Sequence, residues 1–505
     1  MSTENQRHIR NDFQLSSDPW QKFTIRWEPG HNAEDVRLCS PTQTTQEIIE
    51  AFLLHNDRRS NAQIPRRWQV LGEFLYPIVT LSQGDVTTYV EDIERHRAAN
   101  DVAILDDRQK HECARDFGQH CEGCPTFSEN LDVMALQRRL QEKRSSLKAE
   151  KRIIYIPNLT SVGAFALIGT LARRAVNPVR GFLHRYLGRH HFISISTSWG
   201  FSLEFHLPYH AMRHGPLEST QDLRIISGKR LRKSEPLPLG SHSRDQEDLY
   251  YHEAQTSSIC WGISEWFWTE IFVVDTYFGS EESPNTYLRD CPYGKGSNPL
   301  LGGSGTLNDP RFDPREYFLR ILEYRMEQVA TEYGTLVDIF NRRMENYLNN
   351  TRHESAHSSS KLSAKGLSKV IETIQTFSEC IYGTVDSWER FCNGEMSLFT
   401  TRVPNQSVWP RMIASISRSV GELDRLRKLL LAKRDTFKLE LDGIILSFVM
   451  SSGLNWNQAA SQGPEFQCSG DSNLEDRDAS TVDEDRSQDA HHDDGLGSIP
   501  SLVYD

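Results

Sequence analysis

The sequence predicts an α/β fold: a small mixed sheet with flanking helices, followed by a long α-helical stalk with coiled-coil-like heptads. Three observations carry this. A β-rich run from Arg152 to Ile156 is closed by Pro157, and a helical pattern starts at Ser161. Two alternating runs, Phe192 to Thr197 and Phe201 to Leu207, flank Ser198-Trp199-Gly200 as the arms of an antiparallel hairpin. Beyond Pro314 apolar residues recur every three or four positions, and beyond Pro410 every seven.

Residues 1–65 are polar and read as a poorly ordered N-terminal segment. Residues 66–150 read as a mostly helical region holding a Cys/His cluster: Arg66 to Thr80 is an apolar helix or strand that Pro77 interrupts, Asp85 to Gln109 a charged helix, and Leu131 to Lys151 a solvated helical connector. An α/β domain follows over 151–300. Its helix is expected over Ser161 to Arg174, with Arg173 and Arg174 placed to suit a C-terminal dipole. In the hairpin, Phe201, Leu203, Phe205 and Leu207 face one way and Ser202, Glu204 and His206 the other, and Pro208 is expected to stop the strand.

Residues 215–256 are rich in Pro, Ser and charge and read as an internal linker or surface loop. Its cluster Lys229, Arg230, Arg232 and Lys233 is either a solvated loop or a basic patch for localisation or an anionic surface. Ile259 to Phe278 is apolar but carries Glu265, Glu270 and Asp275, which a helix would scatter around its circumference; a buried or interfacial helix is expected, and a membrane span is excluded. Leu301 to Thr306 (LGGSGT) lacks the Lys-Ser/Thr of a phosphate loop and reads as a flexible linker.

The stalk occupies 314–463. Phe318, Leu322, Arg325, Val329, Tyr333, Leu336, Phe340, Met344 and Tyr347 mark one helical face, and a second helix covers about Leu362 to Phe391. In the third, Ile416, Leu423, Leu430, Phe437 and Ile444 repeat every seven, with Val420, Leu441 and Phe448 at the partner position and Arg427 and Arg434 as exceptions. Such a seam needs a partner helix, in this chain or another. A homo-oligomer or a helical protein partner is therefore expected through 410–450.

The chain has 505 residues, enough for several domains of ~150 residues, and a formal net charge of −12. Most of that charge sits at the end: from Pro464 onward twelve Asp/Glu meet two Arg, and the first 463 residues carry only −2. Residues 464–505 are expected to form an acidic, disordered tail, because almost nothing apolar offsets the entropy of ordering it. With no concentrated basic face, no nucleic acid is expected as a partner. Nine scattered cysteines and the polar start MSTENQRHIR point to a reducing, cytoplasmic setting. Ile444 to Met450 is far shorter than the ~20 residues of a spanning helix.

Local chemistry is sparse. His111, Cys113, His120, Cys121 and Cys124 are the metal candidates: a C-x2-C pair, a third thiolate and a nearby imidazole can satisfy tetrahedral Zn2+. The spacing is irregular, and free thiols in a polar loop are the alternative. Glu204 and His206 are either an acid–base pair or a structural hydrogen-bonded pair, and His184, His190 and His191 read as a basic surface. No catalytic motif occurs, so an enzyme is unsupported and no catalytic residue is assigned.

The segment FSLEFHLPYHAMR (Phe201 to Arg213), preceded by RIIYIPNLTS and followed by SICWGISEWFWTEIFVVDTYF, resembles the fungal CorA-like magnesium-transporter family. Leu426 to Gly463 (LRKLLLAKRDTFKLELDGIILSFVMSSGLNWNQAASQG) is similar to the stalk helix of that family. The resemblance covers about residues 150–463. It implies a link to magnesium or other divalent-cation transport, with Mg2+ as the associated ion. The family's two spanning helices and Gly-Met-Asn motif have no counterpart here; Gly453-Leu454-Asn455 is only an echo. The expectation is a CorA-like protein without transport capacity, touching a membrane only through a partner, and membrane-located only in a fuller form carrying the spanning helices. A cytosolic interaction or regulatory protein is the alternative, and a zinc-supported enzyme a third.

Overall fold

A computed structural model of the chain describes residues 37–38, 43–55, 65–79, 103–108, 127–142, 144, 151–197, 200–215, 220–240, 248–263, 267–281, 287, 298–303, 313–353, 364–399 and 408–461. Two compact units are formed by Met1–Leu446 and Ser447–Asp505. The acidic tail and the His111 to Cys124 cluster lie outside the described residues.

Helices α1 (Thr45–Leu53) and α2 (Gln69–Val79) precede strands β1 (Ala103–Arg108) and β2 (Phe127–Leu131) and helix α3 (Val133–Gln141). Strand β3 (Lys151–Pro157) leads into α4 (Ser161–Ile168), α5 (Val176–Leu187), β4 (Phe192–Ser196) and β5 (Phe201–His214). The short strands β6 (Ile225–Ile226), β7 (Lys229–Arg230) and β8 (Ser234–Pro236) precede β9 (Leu249–Gly262) and β10 (Trp268–Val274). Three long helices close the chain: α6 (Pro314–His353), α7 (Ala364–Gly394) and α8 (Val408–Ser461).

The main sheet runs β2-β1-β3-β10-β9-β5-β4, with β8 also on β9. It is mixed: β3 and β10 are parallel and every other pairing is antiparallel. Both faces are covered. Ile154, Ile156, Ile259, Ile271 and Val273 pack with residues of α1 to α5, among them Phe52, Leu75, Leu136, Phe165 and Phe182. Ile153, Tyr155, Leu203, Phe205, Phe272 and Val274 pack with Phe318, Tyr333, Phe377, Trp388 and Leu430 of the long helices. The unbroken apolar run 153–156 thus serves two cores at once, since successive side chains leave opposite faces of a strand.

The helices end where their chemistry ends. Thr44 caps α1 through Glu47 N, with Glu47 returning the bond in a capping box, and Asp132 caps α3 through Ala135 N. Thus the N-terminal 65 residues contribute a packed helix, with Ile49, Phe52 and Leu53 buried. The 66–150 stretch contributes two strands besides its helices.

Several local expectations are overturned. Ile259 to Phe278 is not a helix but the end of β9 and all of β10, and alternation disposes of the acids: Glu270 points under the long helices and Asp275 follows the strand into a buried ion network. The stretch 215–256 holds β6, β7, β8 and the first half of β9, so only part of it is loop. Pro208 lies inside β5 because β4 pairs only Ser202 to His206, leaving β5 beyond that point free of β4. Helix α4 stops at Ile168, and Arg173 and Arg174 sit in a 3-10 turn ahead of α5, where a dipole would disfavour them.

The seam of α8 is buried within the chain. Ile416, Val420, Leu423, Leu430 and Phe437 join the same core as α6 and α7, with Leu441 and Ile444 at its margin. The arginine exceptions reach polar partners at the edge: Arg427 binds Asp424 (2.7 Å), and Arg434 donates to Gln375 Oε1 of α7 (2.9 Å) and pairs with Asp435.

Candidate functional site

On the sheet face that carries α1 to α5, the C-terminal end of α3 and the N-terminal end of α5 border a cleft of about 1200 Å³. Its floor is strand: Arg152 and Ile154 of β3, Thr269 and Ile271 of β10, Trp261 of β9, Ser202 and Glu204 of β5 and Ser194 of β4. These residues share the cleft because each lies on the same side of its strand, two apart or in cross-strand register: Trp261 pairs with both Ser202 and Thr269, and Ser194 with Glu204.

Guanidinium groups dominate the lining. Arg37, Arg144, Arg152, Arg173, Arg174 and Arg185 come from five elements or loops, against the carboxylates of Glu142 and Glu204. Most are held in place. Arg152 makes a two-point contact with Asp107 of β1 (2.7 and 2.8 Å), and Arg185 a two-point contact with Glu204 (2.8 and 2.6 Å). Arg144 donates to Trp268 O and Thr269 Oγ1, both at 3.0 Å, and lies 3.9 Å over the Phe267 ring. Arg37 donates to Gln141 O. Arg173 and Arg174 are exposed. The local field is felt at His55, whose pKa is lowered by burial first and then by Arg180 and Arg173.

Glu204 and His206 do meet, at 2.7 Å between Oε1 and Nε2, but in the interior: they are 4% and 0% exposed. Burial pushes the Glu204 carboxyl up, and the hydrogen bond and charge of His206, with Arg185, outweigh it and hold it below the ordinary value. Burial pushes His206 down, and Arg185 adds to this against the raising effect of Glu204. The pair is therefore carboxylate and neutral imidazole, with Nε2–H donating to Glu204. Ser257 Oγ (2.8 Å) and Gln255 Nε2 (3.0 Å) face Nδ1. This is a structural hydrogen-bonded relay, as one of the two sequence readings had it, fixing the acid that in turn fixes Arg185.

A second buried network lies beneath the cleft's neighbour elements. Asp275 accepts from Arg224 Nη2 (2.8 Å), Arg232 Nε (2.7 Å) and the Tyr186 hydroxyl (2.6 Å). Burial would raise its pKa, but Arg232 and Arg224 hold it at about 2. The basic cluster 229–233 is thus divided: Arg232 is fully buried as a structural cation, while Lys229, Arg230 and Lys233 are exposed.

Of the histidines expected as a basic surface, His190 is exposed and His184 and His191 are half-buried, but their basicity is reduced. Burial, followed by neighbouring arginine and histidine charge, lowers the pKa of His184 and His190, and takes His191 to about 3. His184 stands edge-on to Trp68 and to His190 (5.3 and 5.2 Å). Among the described residues no group of three or more His, Cys, Asp or Glu stands where it could hold a metal ion. The candidates Cys113, His120, Cys121 and Cys124 fall outside those residues. Sequence reasoning missed the cleft because its arginines are spread from position 37 to 185; the adjacent Arg173-Arg174 pair was the one visible signal.

No protein-family model matches the sequence, and no curated protein matches it. Among solved structures, the chain bears a distant likeness to CorA and ZntB proteins. The full-length CmaX protein matches with 10% identity over 62% of this chain and 78% of that chain (TM-score 0.30). The CorA magnesium transporter of Methanocaldococcus jannaschii matches with 8% identity over 73% and 88% (TM-score 0.32). The ZntB cytoplasmic domain of Vibrio parahaemolyticus RIMD 2210633 matches with 11% identity over 58% and 91% (TM-score 0.27). Among the described residues, no helix is long and apolar enough to cross a membrane.

Proposed function

We propose that this chain is a CorA-like protein of the divalent-cation-transport class that acts as a regulatory, non-catalytic subunit assembling through α8. The sequence segments at 201–213 and 426–463 suggest the class, and the order of a mixed sheet followed by three long helices accords with it. The observation that carries the assembly is the end of α8. Once the seam has left the intrachain core, Leu439, Ile445, Leu446, Val449 and Met450 are exposed, at 49 to 73%. Apolar side chains of that size grouped on one solvated helix mark a contact surface. The described residues are assigned no conduction.

The test is multi-angle light scattering of the full chain with and without millimolar Mg2+. An oligomer that Mg2+ shifts, and that Leu446→Glu with Met450→Glu reduces to monomer, supports the reading. A monomer under all conditions removes the assembly, and an oligomer indifferent to Mg2+ removes the cation link and leaves a cytosolic interaction protein.

A further inference from the structure

We propose that the arginine-lined cleft binds a nucleoside phosphate, with the phosphate on the guanidinium groups and the planar base on Trp261. The inference does not depend on assembly through α8. Three features of the cleft converge on it.

The first is charge. Six arginines line the cleft against two carboxylates, in a body of 463 residues that carries a net charge of only −2. Such a local excess of positive charge selects an anion, and arginine's planar fork suits phosphate. The side chains are pre-positioned: Arg152 and Arg185 are each held at two points by a carboxylate, and Arg144 by a carbonyl and a hydroxyl. Little side-chain entropy remains to be lost on binding. Arg173 is exposed at the rim, one turn before α5, whose first residue is preceded by Ala175 and has no side-chain cap. The positive end of that helix adds to the field.

The second is shape. About 1200 Å³ is far more than a lone phosphate fills, and is of the order of pockets that take whole small organic ligands, ~300–1000 Å³. The third is the floor. Trp261 is half-buried, between Ser202 and Thr269 in register, so its ring lies among hydroxyls that can meet a sugar. A planar base on an indole is a stable arrangement for any base.

Calorimetric titration of the full chain with ADP, adenosine and inorganic phosphate at low salt tests this. ADP is expected to bind, adenosine and inorganic phosphate at least about tenfold more weakly, since each lacks one half of the recognition. Arg173→Glu, a surface change that leaves the fold intact by circular dichroism, is expected to weaken ADP about tenfold or more, and Trp261→Leu about tenfold. Arg342→Ala, on an exposed stretch of α6, should leave ADP binding unchanged. Failure of the folded chain to bind ADP overturns the proposal, as does ADP binding that Arg173→Glu does not touch. Phosphate binding as tightly as ADP would reduce the cleft to a simple anion site and overturn the nucleoside. Displacement of ADP by a single-stranded oligonucleotide at lower concentration would overturn it in favour of a polymer.

Discussion

Single residues in this molecule carry charge into places with no water, and their partners decide whether that stabilises. Asp275 is 0% exposed and sits between two buried guanidinium groups and a tyrosine hydroxyl. Asp275→Asn takes from Arg232 its carboxylate, while Arg224 keeps Asp222 (2.8 Å), and is expected to cost about 3–5 kcal/mol, read as a loss of denaturant midpoint. Because its folded pKa is depressed to about 2 from 3.8, the stabilisation is whole above pH 3.8 and is lost as pH falls towards 2. Glu270 is the opposite case. It lies fully buried under the long helices beside Cys260, accepting from Ser258, and burial raises it to about 7. The folded state therefore keeps a proton that the unfolded state releases from about pH 4.5. Stability from this group is whole below 4.5 and declines as pH rises to about 7. Glu270→Gln should flatten that decline, so that the variant gains on the parent between pH 5 and 8 in thermal melts; an unchanged pH slope would count against the assignment. Neither group could be assigned from the sequence, where both read as acids interrupting an apolar helix.

At the scale of elements, the hairpins that frame the cleft depend on close backbone approach. Gly200 has φ +104, and a Cβ there would stand 2.3 Å from Gly262 O at the start of the next turn. Gly200→Ala combines a left-handed backbone with that collision and is expected to cost about 2 kcal/mol or more, seen as a lowered melting temperature. The β4–β5 hairpin was readable in the sequence because alternation and a glycine turn are local. The β9–β10 pair was not, because buried strands between two helical layers are apolar without interruption and imitate a helix. The heptads of α8 were equally plain, yet periodicity names a seam and not its occupant. The occupants are α6 and α7 of the same chain as far as Phe437, and Leu439, Ile445, Leu446, Val449 and Met450 beyond it are exposed.

For the whole molecule, two helical layers on one sheet create an interior that holds several histidines neutral. Burial takes His191 to about 3 and His252 to about 4, and keeps His206 and His210 below the ordinary imidazole value. Each binds a proton when unfolded, from pH 6.5 downward, that it refuses when folded. Their contribution is whole above pH 6.5 and falls by up to about 1.4 kcal/mol per pH unit for each histidine below it. Net stability should therefore drop from pH 6.5 to 5, despite the opposing slope of Glu270; a melting temperature that rises over that interval would contradict this balance. The sequence by itself determined the order of layers, a mixed sheet and then long helices, since hydrophobic period is written residue by residue. It also determined where the acid excess lies. Only the tertiary structure decided which charges are buried, that Arg232 is a core cation while Lys229 is solvent-facing, and that arginines from five separate places border one cleft. Those outcomes depend on strand register and on layers closing over one face, and neither is encoded in any local stretch of chain.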